Sequence, residues 1–501
     1  MASKKRKRIK WGPTTWLVLL LAVIIFSFFF LTFPLLPMKW KLIPEAFVIL
    51  LAAVLAYFSL KKDKRGKNKT AVSVINIFLS ICLTVAAFLF PGIINSVDKV
   101  FAPFPETTEI TINVYALTTE YKSAHTEQFK DKGVSMITDP DLTNYKNKQF
   151  ITQSAVDQEN QAWALGQIKE LFGTDSLWEN NTDSIWDAVE ALYSAEGDVL
   201  VLNAAYVSTI EETGEYASFS DDTIILRSFT NTKQNTGKVT RLDSEKPFAV
   251  VIVGSDSRDA ALTTITRTDV NIIAVVDPLK ASVMLVSLPR DSYIPNPALD
   301  NGMDKLTHMG MSGIDNTMDA LSNFLGVELN NYALVNFNTY EKIINTLGGV
   351  DIVNPYAFSS GKYHFESGNI HLSGPEALAY VRERHSLANG DFDRNEHQVI
   401  VLQAMIRKIL TPDVLMNFSD VMAALNGTFL TNISTDSLYQ LAAAQLDNIR
   451  NWKITTRHLD GSTGGEECAS MPGQILSIVY PDEKVKETIA QEMKDILSAG
   501  K

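Results

Sequence analysis

The chain has 501 residues, of which 46% are apolar, and its formal net charge is −12. This length exceeds what one hydrophobic core usually supports, which argues against a single domain and predicts two globular domains in addition to membrane segments. Residues 1–70 carry 14 Lys and Arg against two acidic residues, whereas the remainder carries 31 against 55, and so acidic a main body argues against binding of nucleic acid.

Three apolar runs lie near the N-terminus, at residues 14–37, 44–60 and 71–91. As a helix, each run crosses or nearly crosses a hydrocarbon layer of about 30 Å. The first run is too long for the apolar part of a signal peptide and is followed at once by the second. We therefore predict three transmembrane helices within residues 1–95, and the alternative is a soluble protein with three buried core helices.

Basic residues predict the direction in which these helices cross the membrane. Six Lys and Arg lie within residues 4–10 and six more within residues 61–69, whereas Lys39 and Lys41 are the two between the first and second runs. Because Lys and Arg concentrate in cytoplasmic loops, the N-terminus and the 61–69 loop are expected inside the cell. Everything after about residue 95 is then extracellular, which predicts a multi-pass protein of the cell membrane.

A small α/β domain is predicted between residues 105 and 242. Alternating residues predict a strand at 109–116, helical periodicity covers 161–172, and an apolar run predicts a buried strand at 198–203. The polar stretch 230–246 supplies a boundary to the next domain. We refer to residues 105–242 as the accessory domain.

The second domain is predicted over residues 246–501 and opens with three strands: 248–253, 270–277 and 281–288. Residues 278–280 predict a hairpin between the last two strands. A hairpin centred there places Asp269 opposite Arg290, with Arg267 and Asp291 at the same edge of the sheet. Asp256 reaches that edge if the first strand runs parallel to the third.

Four helices are predicted farther along the chain: 315–325, 339–347, 375–380 and 395–410. Arg382 and Arg384 precede the polar loop that leads into the last of them. Arg394 and Gln398 are four residues apart at the start of that helix, so their side chains face the same way.

Asp256 and Asp269 are two carboxylates at the ends of neighbouring strands. Such a pair suits Mg²⁺, which takes a few protein oxygens and completes its shell with water and phosphate. The alternative is that each aspartate caps a turn or pairs with a neighbouring arginine. Because several arginines share the predicted edge, we favour the metal site.

Six arginines fall at strand ends or loop junctions: Arg258, Arg267, Arg290, Arg382, Arg384 and Arg394. Arginine binds phosphate oxygens in pairs and keeps its charge in a partly buried site. The alternative is a set of surface salt bridges with the many acids of this domain. Positioning and charge neutralisation are the main needs of phosphoryl transfer, and motifs for a serine nucleophile elbow, a Walker loop or a zinc site are absent from the sequence.

Five motifs in order resemble those of the LytR-CpsA-Psr family. They are 251–258 (VIVGSDSR), 267–270 (RTDV), 287–291 (SLPRD), 305–308 (KLTH) and 374–398 (GPEALAYVRERHSLANGDFDRNEHQ). The motifs cover about residues 246–411, and the three-helix anchor with its accessory domain looks like the streptococcal capsule-type members. The second motif departs from the family pattern at Val270, where threonine or serine is common, and 305–307 replaces a more usual Lys-Ile-Asn.

The resemblance implies an α/β protein with three N-terminal transmembrane helices, a small α/β accessory domain and a larger α/β/α-sandwich catalytic domain. It implies a phosphotransferase that attaches a polyprenyl-pyrophosphate-linked glycan, capsular polysaccharide or a teichoic-acid-type polymer, to peptidoglycan, and that also releases phosphate from polyprenyl pyrophosphates. Other capsule-assembly proteins are implied as further partners. The lipid tail is expected in an apolar tunnel between the sheet and helices around residues 314–348.

The same resemblance assigns roles to individual residues. Asp256 and Asp269 would bind Mg²⁺, with Mn²⁺ as an alternative. The pyrophosphate would be held by Arg258, Arg267, Arg290, Arg382, Arg384, Arg394 and Gln398, and Asp391 would support their loop. Arg267, Arg290, Arg382 and Arg384 are the expected catalytic residues, and the strand containing residues 335–337 is expected to be structural.

A second function stays open from the sequence, namely a non-enzymatic, membrane-anchored regulator of transcription or of capsule synthesis that senses the lipid-linked precursor. Against it, the predicted topology leaves only short basic segments in the cytoplasm, too little for a DNA-binding domain.

Overall fold

The structure is a computed structural model that describes residues 11–33, 38–61, 67–100, 107–130, 132–212, 214–234, 239–255, 264–388, 390–416, 421, 424–425 and 429–499. Within these ranges it contains an N-terminal group of three long helices, a five-stranded sheet and a six-stranded sheet that are each packed with helices, and four two-stranded sheets.

The N-terminal helices are α1 (Trp11–Thr32), α2 (Met38–Leu60) and α3 (Lys67–Val100). Each contains a stretch long and apolar enough to cross a membrane, and large apolar side chains such as Phe47 and Phe78 are exposed on their outer faces. A polar cluster joins the three helices from inside, where Asn76 Nδ2 lies 3.1 Å from Ser59 Oγ and 3.4 Å from Thr15 Oγ1. Buried apolar side chains such as Leu19 and Leu55 also pack between the helices. Apolar outer faces and a few polar contacts between helices are typical of helices packed together in lipid.

The accessory domain contains β1 (Thr107–Leu117), α4 (Thr119–Ala124), α5 (Thr126–Phe129), β2 (Gln149–Gln153), α6 (Gln158–Phe172), β3 (Trp178–Thr182), α7 (Ile185–Tyr193), β4 (Val199–Asn203), α8 (Val207–Glu212), α9 (Phe219–Asp222) and β5 (Thr223–Gln234). Its sheet has the order β3-β2-β4-β1-β5. Alternate residues of β1 enter different layers, because Ile112 and Val114 pack under α6 while Tyr115 and Leu117 pack with α7.

The second domain contains β6 (Phe248–Ser255), β7 (Thr268–Asp277), β8 (Ser282–Leu288), β9 (Tyr293–Asn296), β10 (Gly302–Lys305), α10 (Leu306–Met309), α11 (Ile314–Leu325), β11 (Tyr332–Asn336), α12 (Phe337–Thr346), β12 (Val350–Asn354), β13 (Phe358–Ser360), β14 (Tyr363–Phe365), β15 (Gly368–Leu372), α13 (Gly374–Arg382), α14 (Asp391–Ile409), α15 (Pro412–Met416), β16 (Leu430–Thr431), α16 (Thr435–Asp447), β17 (Lys453–His458), β18 (Gly461–Cys468), β19 (Met471–Pro481) and α17 (Glu483–Ser498). The order of its main sheet is β16-β11-β6-β7-β8-β17.

The central hairpin has the predicted register. In β7 and β8, Asn271 pairs with Leu288 and Asp277 with Ser282, an alignment that continues to Asp269 opposite Arg290 beyond the end of β8. Because β7 is antiparallel to both β6 and β8, β6 and β8 run parallel to each other. This is the condition under which the end of β6 lies at the same edge of the sheet as Arg290.

Helices cover both faces of this sheet, which confirms the α/β/α fold class. Side chains such as Val251 and Ile273 pack on one face with α10, α11 and α17. Their neighbours in sequence, Ile252 and Ile272, point to the other face, where Val399 and Leu402 of α14 cover them. The helices α12, α13 and α14 share a cluster that includes Ile344, Ala377 and Val401 on that second side.

The two domains share a hydrophobic cluster. Trp186 and Leu192 of α7 belong to the same cluster of buried side chains as Met471 and Ile478 of β19. The predicted boundaries at 105–242 and 246–501 stay predictions, and the shared cluster shows that the accessory domain is packed firmly against the larger one.

Candidate functional site

Arg267, Asp269 and Arg290 meet at the edge of the main sheet. Arg290 Nη1 lies 2.9 Å from Asp269 Oδ1, and Arg267 Nη2 lies 3.3 Å from the same oxygen. The side chains of the two arginines are 1% and 5% exposed, so their charges are held largely away from water. This is the contact that the hairpin register predicted.

A carboxylate from the accessory domain completes the cluster. Glu212, the last residue of α8, places Oε1 2.8 Å from Arg267 Nη2 and 2.9 Å from Arg290 Nη2. Burial raises the pKa of Glu212, but the charges of Arg267 and Arg290 outweigh it and lower the pKa to about 2. Glu212 is therefore ionised at neutral pH and bridges both arginines.

Asp269 is ionised as well. Burial alone raises the pKa of Asp269, but the charges of Arg290, Arg267 and Arg394 outweigh that effect and hold the pKa well below its usual range. Oδ1 also accepts a hydrogen bond from Thr307 Oγ1 at 3.2 Å. Among the described residues no hydrogen bond reaches Oδ2, which leaves one hard oxygen of the kind that Mg²⁺ prefers.

A second basic group comes from the junction of α13 and α14. Arg382 ends α13, and its guanidinium carbon lies 4.2 Å from the centre of the Phe337 ring. Arg394 is buried in the first turn of α14, and Gln398 one turn later donates a long hydrogen bond of 3.5 Å to the carbonyl of Val381. This bond ties the start of α14 to the end of α13.

Both basic groups line one cavity of about 1600 Å³. Apolar side chains from the sheet and from α12, α13 and α14 line its other part: Ile252, Val270, Ile272, Val335, Tyr340, Leu378, Val381 and Leu402. An acyl or prenyl chain fits such a surface, while the arginines fit an anionic group at its end.

The expected position of the apolar tunnel needs a correction. Of the helices within residues 314–348, α12 lines the cavity, whereas α11 packs on the opposite face of the sheet with Val251 and Val253. Residues 335–337 also differ from expectation, because the strand ends at Asn336 and Phe337 begins a helix and faces Arg382.

The cavity brings together most of the predicted site residues: Arg267, Asp269, Arg290, Arg382, Arg384, Arg394 and Gln398. Asp256 and Arg258 lie outside the described residues. Asp391 begins α14, but its side chain lies outside the described part of the chain. The sequence missed Glu212, Thr307 and Phe337 as site residues, although Thr307 stood within a recognised motif and Phe337 within a segment that was expected to be a structural strand.

A different group has the spacing of a metal site. Asp304, His308 and Cys468 are buried with their ligand atoms within 4.8 Å of one another. However, the carboxylate of Asp304 already accepts hydrogen bonds from His308, Ser470, Asn296 and the Lys305 backbone. Burial also raises the pKa of the Cys468 thiol to about 12. The group is best explained as a hydrogen-bonded support beneath Thr307.

Known proteins match part of the chain. The LytR_cpsA_psr family matches residues 217–494. A polyisoprenyl-teichoic acid–peptidoglycan teichoic acid transferase TagU of Enterococcus faecalis (strain V583) is 32% identical over 202 residues, which are 40% of this chain and 66% of the relative. The protein of the same name from Bacillus subtilis (strain 168) is 30% identical over 264 residues, 52% of this chain and 81% of the relative.

Two solved structures match as well. The crystal structure of B. subtilis TagU is 29% identical, with a TM-score of 0.40, and the match covers 50% of this chain and 97% of the solved chain. The crystal structure of B. subtilis TagV is 25% identical, with a TM-score of 0.44 over 51% and 98% of the two chains. From the family match over more than half of its length, the chain is a member of the LytR-CpsA-Psr family.

Proposed function

We propose that this protein transfers a glycopolymer from a polyprenyl-pyrophosphate carrier to peptidoglycan on the outer side of the cell membrane. The observation that carries the proposal is the cavity in which an apolar compartment ends at buried arginines. A molecule that fits both parts has a long hydrocarbon chain attached to a multiply charged anion. The names of the family relatives, which act on polyisoprenyl-linked teichoic acid and peptidoglycan, support this substrate class.

In the proposed reaction, an acceptor hydroxyl forms a bond to the phosphorus that bears the sugar. The bond from that phosphorus to the bridging oxygen breaks, polyprenyl phosphate leaves and the hydroxyl proton is released. Arg267 and Arg290 stabilise the charge that develops on the phosphate oxygens, while Arg382, Arg384 and Arg394 hold the leaving phosphate. When water replaces the acceptor hydroxyl, the same arrangement releases the polymer or a phosphate, so phosphatase activity is part of the proposal.

The proposal includes a divalent cation. Asp269, with its open Oδ2, and Asp256 would hold Mg²⁺ or Mn²⁺, which would supply further positive charge to the pyrophosphate oxygens. Glu212 and Asp269 together balance the charges of Arg267 and Arg290, so these two arginines do not strongly repel a cation bound beside them.

Capsular polysaccharide is the polymer that we propose, with a teichoic-acid-type polymer as the alternative. The support is the resemblance, drawn from the sequence, of the three-helix anchor and accessory domain to capsule-type family members. The predicted orientation would put the cavity outside the cell, where peptidoglycan lies. Other proteins of capsule assembly are proposed as partners on the same ground.

The test uses the full-length protein in detergent, polyprenyl pyrophosphate and added Mg²⁺, with phosphate release as the readout. We expect metal-dependent release by the wild type and loss of release in Asp269→Ala. Tight binding of the lipid with no release by the wild type would contradict the proposal and favour the sensing role.

A further inference from the structure

The accessory domain forms a second, polar wall of the same cavity. Side chains of β1, α8 and β5 line it, and they carry hydroxyl, amide, phenol and carboxylate groups: Thr111, Asn113, Tyr115, Glu211 and Ser228. The pattern follows from the strand period, because the alternate residues Ile112 and Val114 point away into the accessory-domain core.

This wall contains a buried acceptor. Asn113 is 5% exposed, and its Nδ2 donates to Tyr115 Oη at 2.8 Å. Its Oδ1 accepts no hydrogen bond from the part of the chain that the structure describes. A buried carbonyl oxygen normally has a donor, and in a cavity that donor is a water molecule or a ligand O–H or N–H.

Neighbouring groups complement this acceptor. Burial and the charge of Glu211 raise the pKa of Tyr115, and the hydrogen bond from Asn113 lowers it by less, so that the pKa is about 12. The phenol therefore keeps its proton at neutral pH and can act as a hydrogen-bond donor. The carboxylate of Glu211 and the hydroxyl of Ser228 add acceptors on the same wall. A partly buried surface that carries both hydrogen-bond donors and acceptors is suited to binding a compound with several hydroxyl groups.

The position of the wall relative to the arginines identifies the part of the substrate that meets it. Along β7 the cavity changes from Ile272 and Val270 over the sheet to Asp269 and Arg267 at its edge. Glu212 of α8 touches the arginines from beyond that edge. A ligand with its hydrocarbon chain over the sheet and its pyrophosphate at the arginines therefore directs its remaining end toward the accessory domain.

We propose that the face formed by β1 and α8 of the accessory domain is a subsite for the sugar unit attached to the pyrophosphate, with Asn113 and Glu211 hydrogen-bonding its hydroxyl groups. This inference rests on the proposed function, because it uses the order lipid, pyrophosphate and sugar. The accessory domain would then determine substrate specificity, because it would contact the first sugar attached to the lipid pyrophosphate.

The test compares two ligands in detergent micelles, polyprenyl pyrophosphate alone and the same lipid pyrophosphate with one attached sugar. Dissociation constants are measured for the full-length wild type, Glu211→Gln, Asn113→Ala and the control Glu179→Gln. Glu179 lies on β3, at the opposite edge of the accessory-domain sheet. We expect the wild type and the control to bind the sugar-bearing lipid more tightly, and this preference to fall at least tenfold in Glu211→Gln and Asn113→Ala.

An unchanged preference in both variants, or no preference in the wild type, would overturn the subsite. Because Glu211 is partly exposed, its variant is expected to fold even if Asn113→Ala does not. Phosphate release is followed in parallel, so a failure of the proposed function appears as a wild type that binds both ligands without turnover. The affinity ratio still decides the subsite in that case.

Discussion

Arg267 and Arg290 both contact Asp269 from their own sheet and Glu212 from the accessory domain, and Arg290 Nε also lies 3.8 Å from Asp291 Oδ1. The arginines are buried, and these carboxylates offset much of the positive charge that they would offer to an anionic ligand. A pyrophosphate then has to compete with Glu212 for the same guanidinium groups. The single residue Glu212 thus sets how strongly the arginines attract an anion.

Removal of an arginine tests the catalytic assignment. We expect Arg267→Ala or Arg382→Ala to lower turnover of polyprenyl pyrophosphate on the order of a hundredfold or more, as is usual when one group that stabilises developing charge is lost. Arg457→Ala is a matched control, because Arg457 pairs with Glu492 away from the cavity. Near-normal rates in both cavity variants would show that these arginines do not stabilise the transition state.

Neutralisation of Glu212 tests the competition. We expect Glu212→Gln to bind inorganic pyrophosphate about tenfold more tightly than the wild type, which corresponds to about 1.4 kcal/mol, because a negative charge is removed from the two arginines. Titration calorimetry measures the affinity, with Glu179→Gln as the control. Weaker binding by the variant would mean that Glu212 helps to hold the anion, for instance through a cation.

The same carboxylate has a defined pH dependence. Its pKa falls from an ordinary value near 4.5 to about 2 on folding, so its stabilising effect is full above about pH 4.5 and is lost as the pH falls toward 2. We expect the difference in Tm between the wild type and Glu212→Gln to shrink over that interval and to be constant from pH 5 to 7. A difference that grows on acidification would contradict the ion pairs.

At the scale of elements, the hairpin β7–β8 was predictable in detail, whereas the placement of helices was not. A short turn between two apolar runs fixes the register, and so Asp269 and Arg290 were paired correctly from the sequence. Helical periodicity shows that α11 has an apolar side but not which face of the sheet it covers. Glu212 was out of reach because its contact joins residues 55 and 78 positions apart, in different domains.

A buried hydrogen-bond cluster supports the element that carries Thr307. Asp304 is fully buried and accepts bonds from His308 at 2.8 Å, Ser470 at 3.0 Å and Asn296 at 3.0 Å. It therefore joins β10 and α10 to the loop before β19.

We expect Asp304→Ala to lower the free energy of unfolding by roughly 3 kcal/mol, because several buried donors lose their acceptor at once. Denaturant titration of the full-length protein in detergent measures the change. Asp319→Ala, on the exposed side of α11, is expected to have an effect within about 0.5 kcal/mol. If Asp304→Ala changed the free energy of unfolding as little as Asp319→Ala, the proposed role of Asp304 in holding β10 and α10 in place would be wrong.

At the scale of the whole molecule, three apolar helices precede two domains that share a hydrophobic cluster, so the parts that surround the cavity are expected to move together. The family and the three-layer α/β/α architecture could be predicted from the sequence, because the motifs lie at strand ends and helix starts. The polar wall did not, because nothing in the residues of β1 alone shows what they face.

The predicted orientation has a direct test. With the N-terminus inside, protease added to intact spheroplasts should remove the folded domains and leave the helices in the membrane fraction, which carbonate washing should not release. Protection of the domains until the membrane is opened would reverse the orientation.

Helix α3 ends at Val100 and β1 begins at Thr107, which itself lines the cavity. With six residues between them, Val100 and Thr107 lie at most about 25 Å apart. This short connection tethers the cavity to the membrane helices, and under the proposed function a carrier lipid would reach it by lateral diffusion. The frequency of encounter would then depend on the number of carrier lipids per unit area of the leaflet and not on a concentration in solution.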